Sequence, residues 1–164
     1  MRVVVLADTH MREGSRRRLP EAAYRLLDTA DVILHAGDVV DDSLLKTLAS
    51  IAPTYAVRGN NDSALVTDLA EVRLLDLSGV KIAMIHDSGP KSGRAARLHR
   101  RFGDADLIVF GHSHVPVDEV GVGGQRLFNP GSPTERRAQP HRTVGVLELS
   151  GGRIADHRIV PVGP

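Results

Sequence analysis

The run Val3-Val4-Val5-Leu6-Ala7, next to the start of the chain, has no polar residue on either face of a pleat. Side chains alternate across a strand, so a run that is apolar at every position belongs where both faces are covered, as in a parallel strand inside a layered α/β protein. The following segments repeat the theme. Ala22, Ala23, Leu26 and Leu27 keep helical spacing between Pro20 and Asp28, and Val32 to Ala36 is a second short apolar run. Leu44, Leu45, Leu48 and Ile51 form another amphipathic pattern, with Asp41, Asp42 and Ser43 as start signals and Pro53 as a stop. Thr54 to Val57 is a third strand. Strand and helix in alternation predict a parallel sheet with right-handed crossovers.

The pattern changes after residue 70. Val72 to Leu77 and Val80 to Ile85 flank Ser78-Gly79, which predicts a hairpin, and Ser92 to Phe102 reads as a basic helix. Leu107 to Phe110, Val115 to Val120, Gln125 to Phe128, Thr143 to Leu149 and Ile154 to Val160 read as strands joined by glycine-rich turns, making this half mostly antiparallel. Two sheets packed face to face with helices outside would bury all of it. No linker, repeat or low-complexity stretch divides the chain, so residues 1–164 are expected to form one domain.

Composition narrows the chemistry. With no cysteine among 164 residues, any metal must be held by His, Asp, Glu, Asn or Gln, and a thiol nucleophile is excluded. A formal charge of +1 gives no overall field towards nucleic acid or membrane, and 3% aromatics leave few stacking platforms for a single strand. No apolar run reaches the roughly 18 residues of a membrane helix, and the start lacks a signal-peptide layout, so a cytoplasmic location is expected.

Every cluster of metal-capable residues follows directly on an expected strand. Asp8 and His10 follow the first, Asp38 the second, Asn60-Asn61-Asp62 the third, His86 follows Ile85, and His112-Ser113-His114 follows Phe110. The carboxyl ends of strands in an α/β sheet line one crevice, so these clusters would converge. In Asp8-Thr9-His10 and His112-Ser113-His114 the outer residues are two apart, which in extended chain places both side chains on one face. A carboxylate such as Asp38 can bridge two cations, and Gly37 and Gly59 allow close backbone approach.

Asp8-x-His10, Gly37-Asp38-x-x-Asp41, Gly59-Asn60-Asn61-Asp62, His86 and Gly111-His112-Ser113-His114 resemble the five blocks of the calcineurin-like metallophosphoesterases. The short length, Arg58-Gly59-Asn60 and Asn129-Pro130-Gly131-Ser132 are similar to the small bacterial and archaeal phosphodiesterases whose eukaryotic relative is a retromer subunit. The resemblance implies an α/β fold, a four-layer α/β/β/α sandwich of two mixed β-sheets flanked by helices. It also implies two divalent metal ions. Carried over residue by residue, Asp8, His10, Asp38 and His114 hold one, and Asp38, Asn60, His86 and His112 the other. Manganese is the metal the resemblance favours, while the nitrogen and oxygen ligands also suit iron, zinc or nickel.

Two positions depart from the pattern. Most members carry Gly-Asn-His in the third block, where the histidine protonates the leaving group; here Asn61 takes that position and cannot act as a general acid. Asp62 follows it, placed to orient an imidazole introduced at 61, and these two are taken as the catalytic positions. In the fourth block Asp87 replaces the usual glycine and Ser88 a further histidine.

Other residues have plainer readings. Arg58 is a candidate contact for a phosphate oxygen, with an ion pair to Asp62 as the alternative. His35 reads as a buried, hydrogen-bonded side chain; His99, His141 and His157 read as surface residues. Asn129 to Ser132 reads as a tight turn. Arg16-Arg17-Arg18, Arg100-Arg101 and Arg136-Arg137 read as solvated faces, with guidance of anionic substrates as the alternative. The expected activity is that of a phosphodiesterase, a metal-dependent phosphoric ester hydrolase acting on a small phosphodiester substrate, in which a water bridging the two metals attacks phosphorus in line. A phosphomonoesterase and a non-catalytic, retromer-like interaction scaffold are the alternatives. A short chain without a basic-aromatic groove argues against a nuclease, and assembly into a homo-oligomer is left open.

Overall fold

The computed structural model describes residues 1–12, 14–62 and 69–164. In chain order the elements are β1 (Arg2–Leu6), α1 (Glu21–Leu27), β2 (Val32–His35), α2 (Asp42–Ile51), β3 (Thr54–Ala56), β4 (Val72–Leu77), β5 (Val80–Ile85), α3 (Arg94–Arg101), β6 (Leu107–Val109), β7 (Val117–Val120), β8 (Arg126–Asn129), β9 (Arg142–Ser150) and β10 (Arg153–Gly163). They form two five-stranded sheets, ordered β10-β9-β1-β2-β3 and β4-β5-β6-β8-β7.

Both sheets are mixed. In the first, β1, β2 and β3 run parallel while β9 and β10 add antiparallel strands beside β1. The second is less antiparallel than its hairpins suggest, because its central pairs β5–β6 and β6–β8 are parallel. Those two pairs aim the carboxyl ends of β5 and β6 at the same crevice as β1, β2 and β3.

The apolar runs divide their side chains between layers. Val3 and Val5 of β1, Val32 and Leu34 of β2, Ile82 and Met84 of β5 and Leu107 and Val109 of β6 meet in the core between the sheets. The intervening Val4, Leu6 and Ile33 face outward under Ala23, Leu27, Leu44 and Leu48 of the first two helices. Ala83, Ile85 and Ile108 are covered on the other side by Leu98 of α3. Uniformly apolar strands are thus required, since each buried aliphatic side chain contributes roughly 1.5–3 kcal/mol and either face left open would forfeit it. Local signals set the ends: Asp41 Oδ1 accepts from Ser43 N at 2.9 Å at the start of α2, and Ser78 and Gly79 both take positive φ (56° and 81°) in the β4–β5 hairpin.

Candidate metal centre

All five loops meet at the carboxyl ends of β1, β2, β3, β5 and β6. Backbone bonds continue past the strands, Asp8 N donating to Gly37 O (3.0 Å) and His10 N to Asp38 O (2.9 Å). Beyond that point the chain is not extended. Asp8 (φ 54°), His10 (44°), Asp38 (57°), Val40 (80°), His112 (70°) and His114 (59°) all lie in the left-handed region. The i, i+2 pairs therefore reach one site through left-handed turns, not through the strand alternation that the spacing suggested. Such conformations cost of order 1–3 kcal/mol each in non-glycine residues and persist only where their surroundings enforce them.

The enforcement is visible. Asp62 accepts three backbone bonds, from Gly59 N (2.6 Å), Asp38 N (3.1 Å) and Val40 N (2.7 Å), and so clasps the turn at 38–40 to the loop after β3. All three donors are backbone N–H groups, and the wild-type side chain at 61 donates instead to Asp38. Ser132 Oγ donates to Asp8 O (2.8 Å), Thr134 Oγ1 to Thr9 O (2.8 Å), and Asn129 Nδ2 to Gly111 O (2.9 Å). The segment 129–132 is the tight turn expected, with Gly131 N bonded to Asn129 Oδ1 (2.9 Å), and it also props the loops that carry Asp8 and His112. Gly59 admits no side chain, since a Cβ there would collide with Asp38 N and Oδ1.

Within this frame the seven ligand candidates come together. His114 Nε2 lies 3.2 Å from His10 Nε2 and 3.7 Å from Asp8 Oδ1. Asp38 Oδ2 lies 3.5 Å from His10 Nε2 and 3.3 Å from His86 Nε2, between the two halves. Asn60 Oδ1 lies 3.1 Å from His86 Nε2 and 3.0 Å from His112 Nδ1. Asp8, His10 and His114 offer donor atoms all within 4.8 Å of one another, as do Asp8, Asp38 and His86. Asn61 donates to both oxygens of Asp38, from N (2.8 Å) and Nδ2 (2.7 Å).

Backbone carbonyls orient two of the imidazoles. His86 Nδ1 donates to Ala36 O (2.7 Å) and His114 Nδ1 to Glu135 O (2.9 Å), so in the neutral rings the lone pair sits on Nε2 and faces the carboxylates. These carbonyls carry no mark in the sequence, because any residue supplies one. Burial lowers the His10 and His114 pKa values, favouring the neutral form that ligates metal. Burial also works to raise the Asp38 pKa, but hydrogen bonds from His86 and Asn61 hold it well below the usual carboxylate range. His86 is held above its ordinary value: burial opposes its protonation, and Asp38 and the Ala36 carbonyl outweigh that.

Asp8 is the exception. Burial pushes its carboxyl up to about 7, its Oδ1 accepts from His112 N (3.1 Å), and its Oδ2 is buried with no hydrogen-bond partner. A buried carboxylate oxygen without a donor is costly unless a cation meets it. The orphaned oxygen and the surrounding imidazole and carboxylate donors fit divalent cations.

Two clefts flank the cluster. One, of about 610 Å³, is lined by Asn60, His86, His112, Asp87, Glu71 and Arg58, among others. Arg58 is paired there with Glu71 (2.6 Å), in place of the Asp62 pairing weighed from sequence. The other, of about 740 Å³, opens beside His10 and Asn61. His35 is fully buried, its Nε2 3.1 Å from Thr9 Oγ1. His99 and His157, expected at the surface, are half-buried: His99 Nδ1 meets Gln125 Oε1 (3.1 Å) and His157 Nδ1 meets Asp118 Oδ2 (2.6 Å). His141 is exposed.

Five strand-end loops converging on His, Asp and Asn donors, of which Asp8, Asp38, His86 and His114 are buried, define a metal-binding phosphoesterase class. Residues 1–152 match the model of the calcineurin-like phosphoesterase superfamily domain, and the chain belongs to that superfamily. It is 31% identical over 166 residues to a probable metallophosphoesterase of Methanothermobacter thermautotrophicus, covering 99% of this chain and 94% of that protein. A Thermotoga maritima protein solved by solution NMR is similar, with 30% identity, a TM-score of 0.73 and 98% of each chain covered. Vps29 of Entamoeba histolytica, crystallised in complex with zinc, shares the fold with a TM-score of 0.78 over 99% of each chain, at 22% identity. No helix among the described residues is long and apolar enough to cross a membrane.

Proposed function

We propose that the protein is a phosphodiesterase working with two divalent cations, one held by Asp8, His10, Asp38 and His114 and the other by Asp38, Asn60, His86 and His112. The observation that carries this reading is Asp38 Oδ2, which lies 3.5 Å from an imidazole of the first set and 3.3 Å from one of the second. Bound there, the cations would supply Lewis-acid stabilisation of phosphoryl oxygens and a water of lowered pKa. The chain supplies the rest. His86 and His114 are held as Nε2 donors by backbone carbonyls, Asn61 fixes both oxygens of Asp38, and Asp62 clasps the turn on which Asp38 sits. The third-block amide at Asn61 offers no proton to a departing alkoxide, so substrates with acidic leaving groups are favoured. Manganese is the expected metal and the cytoplasm the expected location.

The experiment is a panel of manganese, zinc, nickel and iron against bis-p-nitrophenyl phosphate, p-nitrophenyl phosphate and cyclic nucleotides, with metal content measured after dialysis. Diester hydrolysis at about two bound ions per chain, with both lost in Asp38→Ala and chiefly one in Asn60→Ala, is expected. Preference for the monoester would reverse the substrate assignment, and full metal content in Asp38→Ala would remove the two-ion arrangement.

A further inference from the structure

The two clefts beside the metal centre differ in charge. The one bordered by Asn60, His86 and His112 contains Asp62, Glu71 and Asp87 together with Arg58 and Arg101, and Arg58 is already paired with Glu71. The one bordered by His10 and Asn61 is lined by Arg12, Arg16, Arg17, Arg18 and Arg142, and among the described residues no acidic side chain lines it. Arg17 is paired with Glu135 (3.1 Å). Arg18 donates to the carbonyls of Ser15 (2.5 Å) and Arg17 (2.8 Å), and no carboxylate among the described residues pairs with it. The Nε of Arg142 is buried with no hydrogen-bond partner. Like charges gathered in one concavity repel one another, and that arrangement is repaid when an anion enters. Guanidinium groups match phosphate geometry, and about 740 Å³ is the size of a cleft that takes a nucleotide-sized group.

His10 and Asn61 belong both to this cleft and to the metal cluster, so a substituent of an ester bound at the centre extends among the arginines. We propose that this cleft holds a second phosphate, carried on one substituent of the scissile ester, so that the preferred substrates are small phosphodiesters bearing an additional phosphate group. The proposal rests on the phosphodiesterase reading for its reaction, and on the cleft alone for its ligand.

The test compares thymidine 5′-(p-nitrophenyl phosphate) with the same ester carrying a 3′-phosphate. Scissile bond and leaving group are identical. The 3′-phosphate should raise kcat/KM by about 10- to 100-fold, the range of one or two charge-assisted contacts. That ratio should fall towards one in Arg16→Gln/Arg18→Gln and part of the way in Arg16→Gln alone. In parallel, calorimetry on chelator-stripped protein should show thymidine 3′,5′-bisphosphate binding at least about tenfold tighter than thymidine 5′-monophosphate, with the difference lost in the double variant. Equal kcat/KM for the two esters together with equal affinities would overturn the proposal and leave the phosphodiesterase reading standing. Absence of hydrolysis of either ester would strike that reading instead, and the binding ratio, which needs no turnover, then decides the cleft. Competition by a ten-residue oligothymidylate more than about tenfold stronger than by the bisphosphate would overturn the small-molecule assignment in favour of a nucleic-acid strand.

Discussion

Replacing Asp8 by Asn tests whether the site is built around a missing positive charge. In the metal-free protein Asp8 titrates near pH 7 because burial disfavours its charge, whereas in the unfolded chain it titrates near 3.8. Between those values the folded state holds the extra proton, so Asp8 makes the metal-free protein less stable as pH rises. The separation is about 3 pKa units, and at 1.36 kcal/mol each the loss amounts to about 4 kcal/mol between pH 4 and pH 7. His35 works in the opposite direction: burial lowers its pKa to about 3, so the unfolded chain binds the extra proton up to pH 6.5 and stability rises with pH. Both proteins carry His35, and subtraction removes it. Urea denaturation followed by circular dichroism, in chelator at pH 4, 5, 6, 7 and 8, should give a wild-type minus Asp8→Asn stability difference that falls by about 4 kcal/mol and then levels off above pH 7. The amide left at Asp8 Oδ2 costs the variant roughly 1–3 kcal/mol at every pH, which offsets the curve without changing its slope. Saturating manganese at pH 7 and 8 should stabilise the wild type and remove the downward contribution of Asp8, because a bound cation keeps the carboxylate ionised. A pH-independent difference without metal would refute the assignment of Asp8 as a buried, cation-dependent carboxylate.

Asp62→Ala should lower stability by at least about 3 kcal/mol, since it leaves the backbone N–H groups of Gly59, Asp38 and Val40 without their shared acceptor; a variant with full stability but no activity would point to a direct chemical role. Gly59→Ala should keep the fold by circular dichroism yet lose about 100-fold in diester hydrolysis, because the added Cβ collides with Asp38; unchanged kinetics would show that Asp38 moves without consequence. Asn61→His should make log kcat depend less steeply on leaving-group pKa across a series of aryl diesters, at equal metal content. Equal slopes for variant and wild type would show that the leaving-group proton comes from elsewhere.

The candidate ligand positions were legible because strands buried on both faces leave an unmistakable apolar run, and each run ends where a candidate ligand stands: Leu6 before Asp8, Ile85 before His86, Val109 shortly before His112. The spacing in Asp8-x-His10 and His112-x-His114 was also legible, but its geometric reason was not. Alternation along a strand is a local property, whereas φ values of 44° to 70° at those four residues exist only because bonds from other loops hold them there. Likewise, Gly59-Asn60-Asn61-Asp62 announces a site without revealing that Asp62 serves the backbone while Asn61 grips Asp38. The arginines at 16–18 read as a solvated face, since a charge run in sequence carries no information about the surface opposite it; with Arg142 of β9 they line one cleft. Which residues can bind metal, and in what phase with the strands, is written along the chain by side-chain chemistry and burial. Which nitrogen of His86 or His114 faces the site, which carboxylate is left with an unpaired oxygen and which cleft is positive depend on groups far apart in sequence, 104 residues for His112 and Asp8, and only the packing of the two sheets brings those groups together.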